Sequence, residues 1–324
     1  MPARVHRFPS RCEQLYAGGR VPGAKMQTYH DPHAARWTTM QADYREALAH
    51  AASLGGADLV ATSPPYCDAR TYGAGVSWTD ADYAALGDAV FAALKPGGHA
   101  LINVDAPVRE WRKGFGTERG FHPWRMMLDW AERVGFRVPD RLAFGKDGVP
   151  GDFWGFRNDW EPLLWFQKPG NAYRPDHTAV SKYVGGWSTQ SKGSRGRRSR
   201  GTTGATEGPN SIRQGSTRRR GTYWNYGNCG NGSTGAPDIE AENHPARWPF
   251  KLAEDIVRCF CPPDGLVVDP FCGAGTTGAA AIAHGRRFVG GDLFVNAKGE
   301  PWASVAHRIM VERTKQQSLF GGVT

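Results

Sequence analysis

Short apolar runs alternate along this chain with longer stretches in which apolar residues return every three or four positions. The runs at Trp37–Ala42, Ala57–Thr62, His99–Val104, Phe136–Phe144, Pro162–Gln167, Gly265–Asp269 and Arg287–Asp292 predict strands. Ala57–Thr62 (ADLVAT) is apolar through most of its length and stops at a Pro-Pro turn, as a buried parallel strand does. The helical spacing predicts helices over Tyr44–Ser53, Thr79–Leu94, Trp124–Val134, Trp248–Cys261 and Thr276–His284. Asp80 and Asp82 stand in the first turn of the second of these, and Lys95-Pro96-Gly97-Gly98 is its stop signal; Gly135 ends the third. Strands alternating with helices in this way predict a doubly wound α/β sheet.

The pattern divides the chain. Residues 1–36 carry little periodicity and read as an N-terminal arm, and residues 37–170 form a first α/β half. Over 171–242 the composition shifts to Gly, Ser, Thr, Asn and Arg with aromatics appearing singly, which predicts a loop-rich, mobile segment. The α/β pattern resumes over 243–324. Charge sharpens this division. Between Lys192 and Arg220 nine Lys or Arg face one acid, Glu207, a local charge of +8 in a chain whose total is +9. Such concentration fits a polyanionic partner, and Arg195, Arg197, Arg198, Arg200, Arg218, Arg219 and Arg220 are the candidate nucleic-acid contacts. The competing reading is a solvated charge run.

Other classes lose ground. No run approaches the ~18 apolar residues of a membrane span, and the first residues lack the apolar core of a secretory signal, so a cytoplasmic location is expected. The six cysteines (Cys12, Cys67, Cys229, Cys259, Cys261 and Cys272) include no CxxC pair, so neither a metal site nor a disulfide framework is expected.

Two segments carry candidate chemistry. In Leu266-Val267-Val268-Asp269-Pro270-Phe271-Cys272-Gly273-Ala274-Gly275-Thr276-Thr277-Gly278 a strand runs into a glycine-rich turn that opens a helix. Glycines there let the backbone approach a ligand, and helix N-terminal amides favour its anionic group. The phosphate-loop lysine is missing, which disfavours nucleoside triphosphate ligands. The second segment, Thr62-Ser63-Pro64-Pro65-Tyr66, ends a predicted strand, where an open α/β sheet has its ligand crevice. A stiff diproline bend offering the Ser63 hydroxyl, the Pro64 carbonyl and the Tyr66 ring suits a planar group bearing an NH₂. An ordinary structural turn is the competing reading.

Taken together, Ser63-Pro64-Pro65-Tyr66, then the basic segment, then Phe271-Cys272-Gly273-Ala274-Gly275, this chain resembles the beta class of DNA amino-methyltransferases over residues 38–169 and 243–313. The resemblance implies a Rossmann-like methyltransferase sheet in permuted order, catalytic half before cofactor half, with a target-recognition insert. It implies S-adenosylmethionine as cofactor, double-stranded DNA as partner, and Ser63, Pro64, Pro65 and Tyr66 as the catalytic segment. A homodimer and a cognate restriction endonuclease are compatible with it. Asp269, Phe271, Gly273, Gly275 and Thr276 match the family's cofactor loop, and Asp292 its ribose-binding acid. The segment from His244 to Leu252, with Trp248 and Lys251, resembles the helix that packs over the methionine moiety; His244-Pro245 reads equally as a helix-entry turn. Asp43 resembles the acid near the adenine amine, and equally a helix N-cap.

Serine at the first motif position resembles members acting on N4 of cytosine, with N6 of adenine as the alternative. The chain has no Pro-Cys dipeptide, which disfavours the C5-cytosine class. The target nucleotide would swing out of the duplex, with Tyr66 and Tyr72 as candidate supports for the base; Cys67 reads as packing. An RNA methyltransferase and a non-catalytic DNA-binding module are the remaining rivals.

Overall fold

The structure, a computed structural model, describes residues 26–66, 78–106, 108–112, 116–146, 159–171, 173–180, 220–226, 244 and 247–320. Cys67, Tyr72, Arg195, Arg197, Arg198, Arg200, Arg218 and Arg219 lie outside these residues.

The strands are β1 (Gln27–His30), β2 (Trp37–Gln41), β3 (Ala57–Thr62), β4 (Leu94–Asn103), β5 (Val108–Arg112), β6 (Gly116–Arg119), β7 (Arg141–Gly145), β8 (Trp160–Gln167), β9 (Tyr223–Asn225), β10 (Leu266–Asp269) and β11 (Arg287–Asp292). The helices are α1 (Tyr44–Ser53), α2 (Asp80–Ala93), α3 (His122–Asp129, prolonged by a π-helical turn at Trp130–Val134), α4 (Phe250–Phe260), α5 (Thr276–Ala283) and α6 (Trp302–Phe320). Among the described residues nine strands form one sheet in the order β1-β2-β11-β10-β3-β4-β8-β7-β9, and β5 pairs with β6 in a separate hairpin. From β2 to β4 all neighbours are parallel, while β8 runs antiparallel to both β4 and β7.

The connections fix where a ligand can sit. From β10 the chain passes through α5 to β11 on one side, and from β3 through α2 to β4 on the other. Adjacent strands whose crossovers leave in opposite directions open a crevice at their carboxyl ends. Thr62 and Asp269 end the two strands concerned.

Alternation along the strands builds a core on each face. Leu59, Ala61, Leu101 and Val267 pack with Leu252, Ile256 and Phe260 of α4. Val60, Ala100, Ile102 and Val268 pack on the opposite side with Leu48, Leu86, Val90 and Trp130. Each fully buried Leu, Ile, Val or Phe side chain among these contributes about 1.5–3 kcal/mol. Capping boxes start the helices beside the crevice: Asp43 with Glu46 for α1, and Thr79 with Asp82 for α2.

The structure departs from the predicted elements in several places. Lys95-Pro96-Gly97-Gly98 ends α2 but lies at the start of β4, where a register shift absorbs it and Gly97 N–H donates to the Lys168 carbonyl. The run Phe136–Phe144 is a continuous strand only from Arg141; before it Arg137 makes a single bridge to Gln167, and Phe136 turns inward onto Trp130 and Phe166. The N-terminal arm contributes β1, the basic segment contributes β9, and α6 closes the C-terminal half. Among the described residues no helix is long and apolar enough to cross a membrane.

Candidate active site

The two motif segments meet at the crevice. Thr62 Oγ1 donates to Asp269 Oδ1 at 2.5 Å, tying the residue before Ser63 to the residue that opens the glycine-rich turn. Phe271 N–H donates to the same oxygen at 3.1 Å. Burial pushes the Asp269 carboxyl up to about 6, against hydrogen bonds from Thr62, Thr277 and Phe271 that favour its charged form.

Beyond Asp269 the chain turns through Gly273 and Gly275, with φ of 48° and 84°. Glycine is needed at both, because side-chain-bearing residues rarely adopt this region and the space is taken. A Cβ at Gly273 would lie 2.6 Å from His244 Nε2, and one at Gly275 2.8 Å from the Ala306 Cβ. Asp292, at the end of β11, receives the turn: its Oδ2 accepts from Gly273 N–H and its Oδ1 from Phe294 N–H, both at 2.9 Å. Burial, with the neighbouring Asp269 charge, pushes Asp292 up to about 6 as well, opposed by those two amides.

A cleft of about 730 Å³ lies between the segments. Ser63, Pro65 and Tyr66 line one part of it, Gly273, Thr276 and Asp292 another, and His244, Arg247 and Trp248 also contribute. Pro64 is buried and is not one of the lining residues. A second cleft, about 770 Å³, shares Pro65, Phe271, Asp292 and Phe294 with the first and adds Asp43, Tyr44 and Trp78. Asp43 caps α1, as one of its two readings expects, accepting from Arg45 N–H at 3.0 Å, and it lines this second space.

The diproline bend is held from behind by side chains. Tyr83 donates its hydroxyl to the Pro65 carbonyl at 2.8 Å. Tyr66 donates to Glu161 Oε2 at 3.0 Å, with Asn103 Oδ1 at 3.4 Å, and Ser63 Oγ approaches the Tyr66 oxygen at 3.4 Å. Trp248 Nε1 donates to Asn103 Oδ1 at 3.0 Å, so the cleft-lining indole and the tyrosine share one acceptor. Glu161 also pairs with Lys146. Glu161, Asn103 and Lys146 did not emerge from the sequence motifs. A signal for the first exists, an acid heading the apolar run Pro162–Phe166, since carboxylates are rarely buried without a partner.

Two expected site residues lie elsewhere. Lys251 is exposed and pairs with Glu254 and Asp255, because the inward stripe of α4 runs through Leu252 and Ile256 and leaves position 251 outside. Arg220 was expected on a nucleic-acid surface; its side chain is only 5% exposed and pairs with Asp255, stacked on Trp224 and Tyr226. A carboxylate on the buried face of α4 needs a counter-charge, and Arg220 supplies it. The buried thiols of Cys259 and Cys261 are pushed up to about 12, which makes them packing groups rather than nucleophiles.

Residues 57–294 match the family model described as DNA methylase, the N6/N4 methyltransferases. The chain belongs to this DNA methylase family. Its order, SPPY segment before glycine turn, is the permuted one of the beta class. The methylase is 28% identical over 240 residues to the orphan methyltransferase M.BamHII of Bacillus amyloliquefaciens, a match covering 73% of this chain and 83% of that one. It is 49% identical to the DNA adenine methyltransferase YhdJ of Escherichia coli, but over 51 residues, 16% of this chain and 17% of the relative. Among solved structures, the cytosine-N4-specific PvuII DNA methyltransferase superposes with a TM-score of 0.57 at 18% identity, covering 87% of this chain and 93% of that one. The sheet is thus the Rossmann-like methyltransferase sheet, and S-adenosylmethionine is the family's cofactor.

Proposed function

We propose that this DNA methylase transfers a methyl group to N4 of cytosine in double-stranded DNA, acting on a nucleotide turned out of the helix. The observation that carries the proposal is Ser63, a neutral hydroxyl at the mouth of the diproline bend, lining the same cleft as Gly273 and Asp292. The fold shared with a cytosine-N4-specific enzyme is in keeping with it.

The residues present fit S-adenosylmethionine. The cofactor carries ribose hydroxyls and an ammonium group, and two buried carboxylates, Asp269 and Asp292, face the cleft from adjacent strands. Gly273 and Gly275, having no Cβ, let the turn pack against His244 and Ala306, which sets its shape, and Gly273 lines the cleft. We assign Asp292 to the ribose, the Phe271–Thr276 turn and Trp248 to the methionine portion, and Asp43 in the second cleft to the adenine. When bound, the cofactor supplies an electrophilic methyl group on a sulfonium.

The chain's own residues would then prepare the amine. Its lone pair is delocalised into the base ring, which makes it a poor nucleophile. Hydrogen bonds accepted by the Ser63 hydroxyl and the Pro64 carbonyl favour a pyramidal nitrogen, and the Tyr66 ring supports the base. The acceleration would come from positioning and fixed dipoles. The arginines at 195, 197, 198, 200, 218 and 219 would neutralise phosphates.

The N6-adenine reading has one observation of its own, the local 49% identity to an adenine methyltransferase. Nucleoside mass spectrometry of DNA and RNA incubated with the enzyme and S-adenosylmethionine separates the readings. N4-methylcytosine in DNA is the expected product. N6-methyladenine would shift the assignment to the other base, and 5-methylcytosine or modified RNA would overturn it.

A further inference from the structure

Strand β8 is apolar and buried from Pro162 to Phe166, yet Glu161 at its start is buried as well, at 4% exposure. A lone carboxylate in such a place costs several kcal/mol unless it is paired and hydrogen-bonded. Glu161 has both kinds of partner: Lys146 at Oε1, and the Tyr66 hydroxyl at Oε2, 3.0 Å away. Its position follows from the sheet, since β8 runs antiparallel to β4 and begins at the crevice end.

The chemistry of these groups gives the chain of hydrogen bonds a direction. A carboxylate held by an ammonium accepts and cannot donate. Tyr66 has one hydroxyl proton, and Glu161, closer than Asn103 Oδ1 (3.4 Å) and charged, takes it. The Tyr66 oxygen then meets Ser63 Oγ, 3.4 Å away, as an acceptor, so Ser63 turns its proton inward. Its lone pairs are left toward the cleft. An exocyclic amine brings N–H donors and needs an acceptor there. A serine of the opposite polarity would donate to the nitrogen and tie up the lone pair that has to attack.

We propose that Glu161 is a positioning residue that, through Tyr66, holds Ser63 as a hydrogen-bond acceptor for the target amine. The inference rests on the cleft being the amino-methyltransferase centre. Lys146 makes it testable. In Glu161→Gln, Lys146 claims the amide oxygen and leaves the NH₂ facing Tyr66, which removes the nearer acceptor of the Tyr66 proton at nearly constant shape and sets Ser63 Oγ in competition with Asn103 Oδ1 for it, both 3.4 Å away.

Single-turnover methyl transfer by Glu161→Gln should slow about tenfold or more, with S-adenosylmethionine affinity by calorimetry unchanged within about twofold. Adding Lys146→Met should recover most of the rate, because the glutamine can then turn its oxygen to Tyr66; a merely structural role gives no such rescue. In a Tyr66→Phe background, Glu161→Gln should have no further effect. A wild-type rate in Glu161→Gln, additive losses in the double variant, or absence of rescue would each overturn the inference. Should Glu161→Gln not fold, Tyr66→Phe alone must slow transfer with affinity retained, and full-rate transfer there overturns it too. A wild-type enzyme that modifies no base amine defeats the functional reading instead, which keeps the two failures distinct.

Discussion

The two sides of the cleft are built from different materials. On the β10–β11 side the geometry is mostly backbone: positive-φ glycines form the turn, and two main-chain amides hold the Asp292 carboxylate. On the β3 side a rigid bend is oriented by side chains, with Tyr83, Asn103 and Glu161 reaching it from α2, β4 and β8. The first design fixes shape and tolerates little added bulk. The second fixes hydrogen-bond polarity and is sensitive to isosteric exchange. Damage to the first side should therefore appear in cofactor affinity, and damage to the second in the rate of transfer.

Substitution in the glycine turn should have the largest effect on binding. Gly273→Ala puts a methyl group 2.6 Å from His244 Nε2 in a left-handed conformation. A strain of about 2–3 kcal/mol would weaken S-adenosylmethionine binding by roughly 30–150-fold, measurable by calorimetry. Retention of wild-type affinity would show that the turn does not shape the cofactor site.

Asp292 comes next. Asp292→Asn replaces a charged acceptor and should lower affinity by about 10–100-fold, from the ~1.5–3 kcal/mol of a hydrogen bond to a charged group. In the wild type, affinity should fall as pH drops through about 6, where Asp292 protonates; in the asparagine variant this dependence should shrink to the share that Asp269 carries. Stability moves oppositely. As pH rises from the ordinary carboxylate range toward 6, the unfolded chain releases these two protons before the folded one does. Asp269 and Asp292 therefore subtract stability across that window, and the loss is complete above it. A Tm that falls less steeply with rising pH in Asp292→Asn than in the wild type, with Asp269 still contributing, would verify the sign.

Asp43→Ala should be the mildest. Loss of its cap costs about 1 kcal/mol of stability, read as a small fall in Tm. If Asp43 also holds the adenine amine, affinity falls as well; an unchanged affinity confines it to the cap.

The parts of this molecule that were legible in the sequence are those whose information is local. Helix α1 and strands β3 and β11 lie where the apolar pattern predicts them, and a doubly wound α/β sheet follows from strand–helix alternation. Ser63, Tyr66, Asp269, Gly273, Thr276 and Asp292 sit in contiguous motifs, and the sheet order brings them to one cleft. Strand β1 escaped notice because it is an exposed edge with no apolar face. Helix α6 had a usable signal, with Trp302, Val305, Ala306, Ile309 and Met310 at helical spacing. Arg220 shows the limit of charge counting, since a buried Asp255 on another element decides where that side chain goes. The same holds for the Glu161–Tyr66 contact, which spans 95 positions of sequence and exists only once β8 is placed beside β4.

Ser63→Ala tests the division of labour most directly, by measuring S-adenosylmethionine affinity and single-turnover methyl transfer to DNA on one preparation. The expected result is affinity within about twofold of wild type and a rate lower by about 100-fold or more, as when one preorganised polar group is removed from a catalytic site. Affinity and rate lost together, or a rate that survives the substitution, would contradict it.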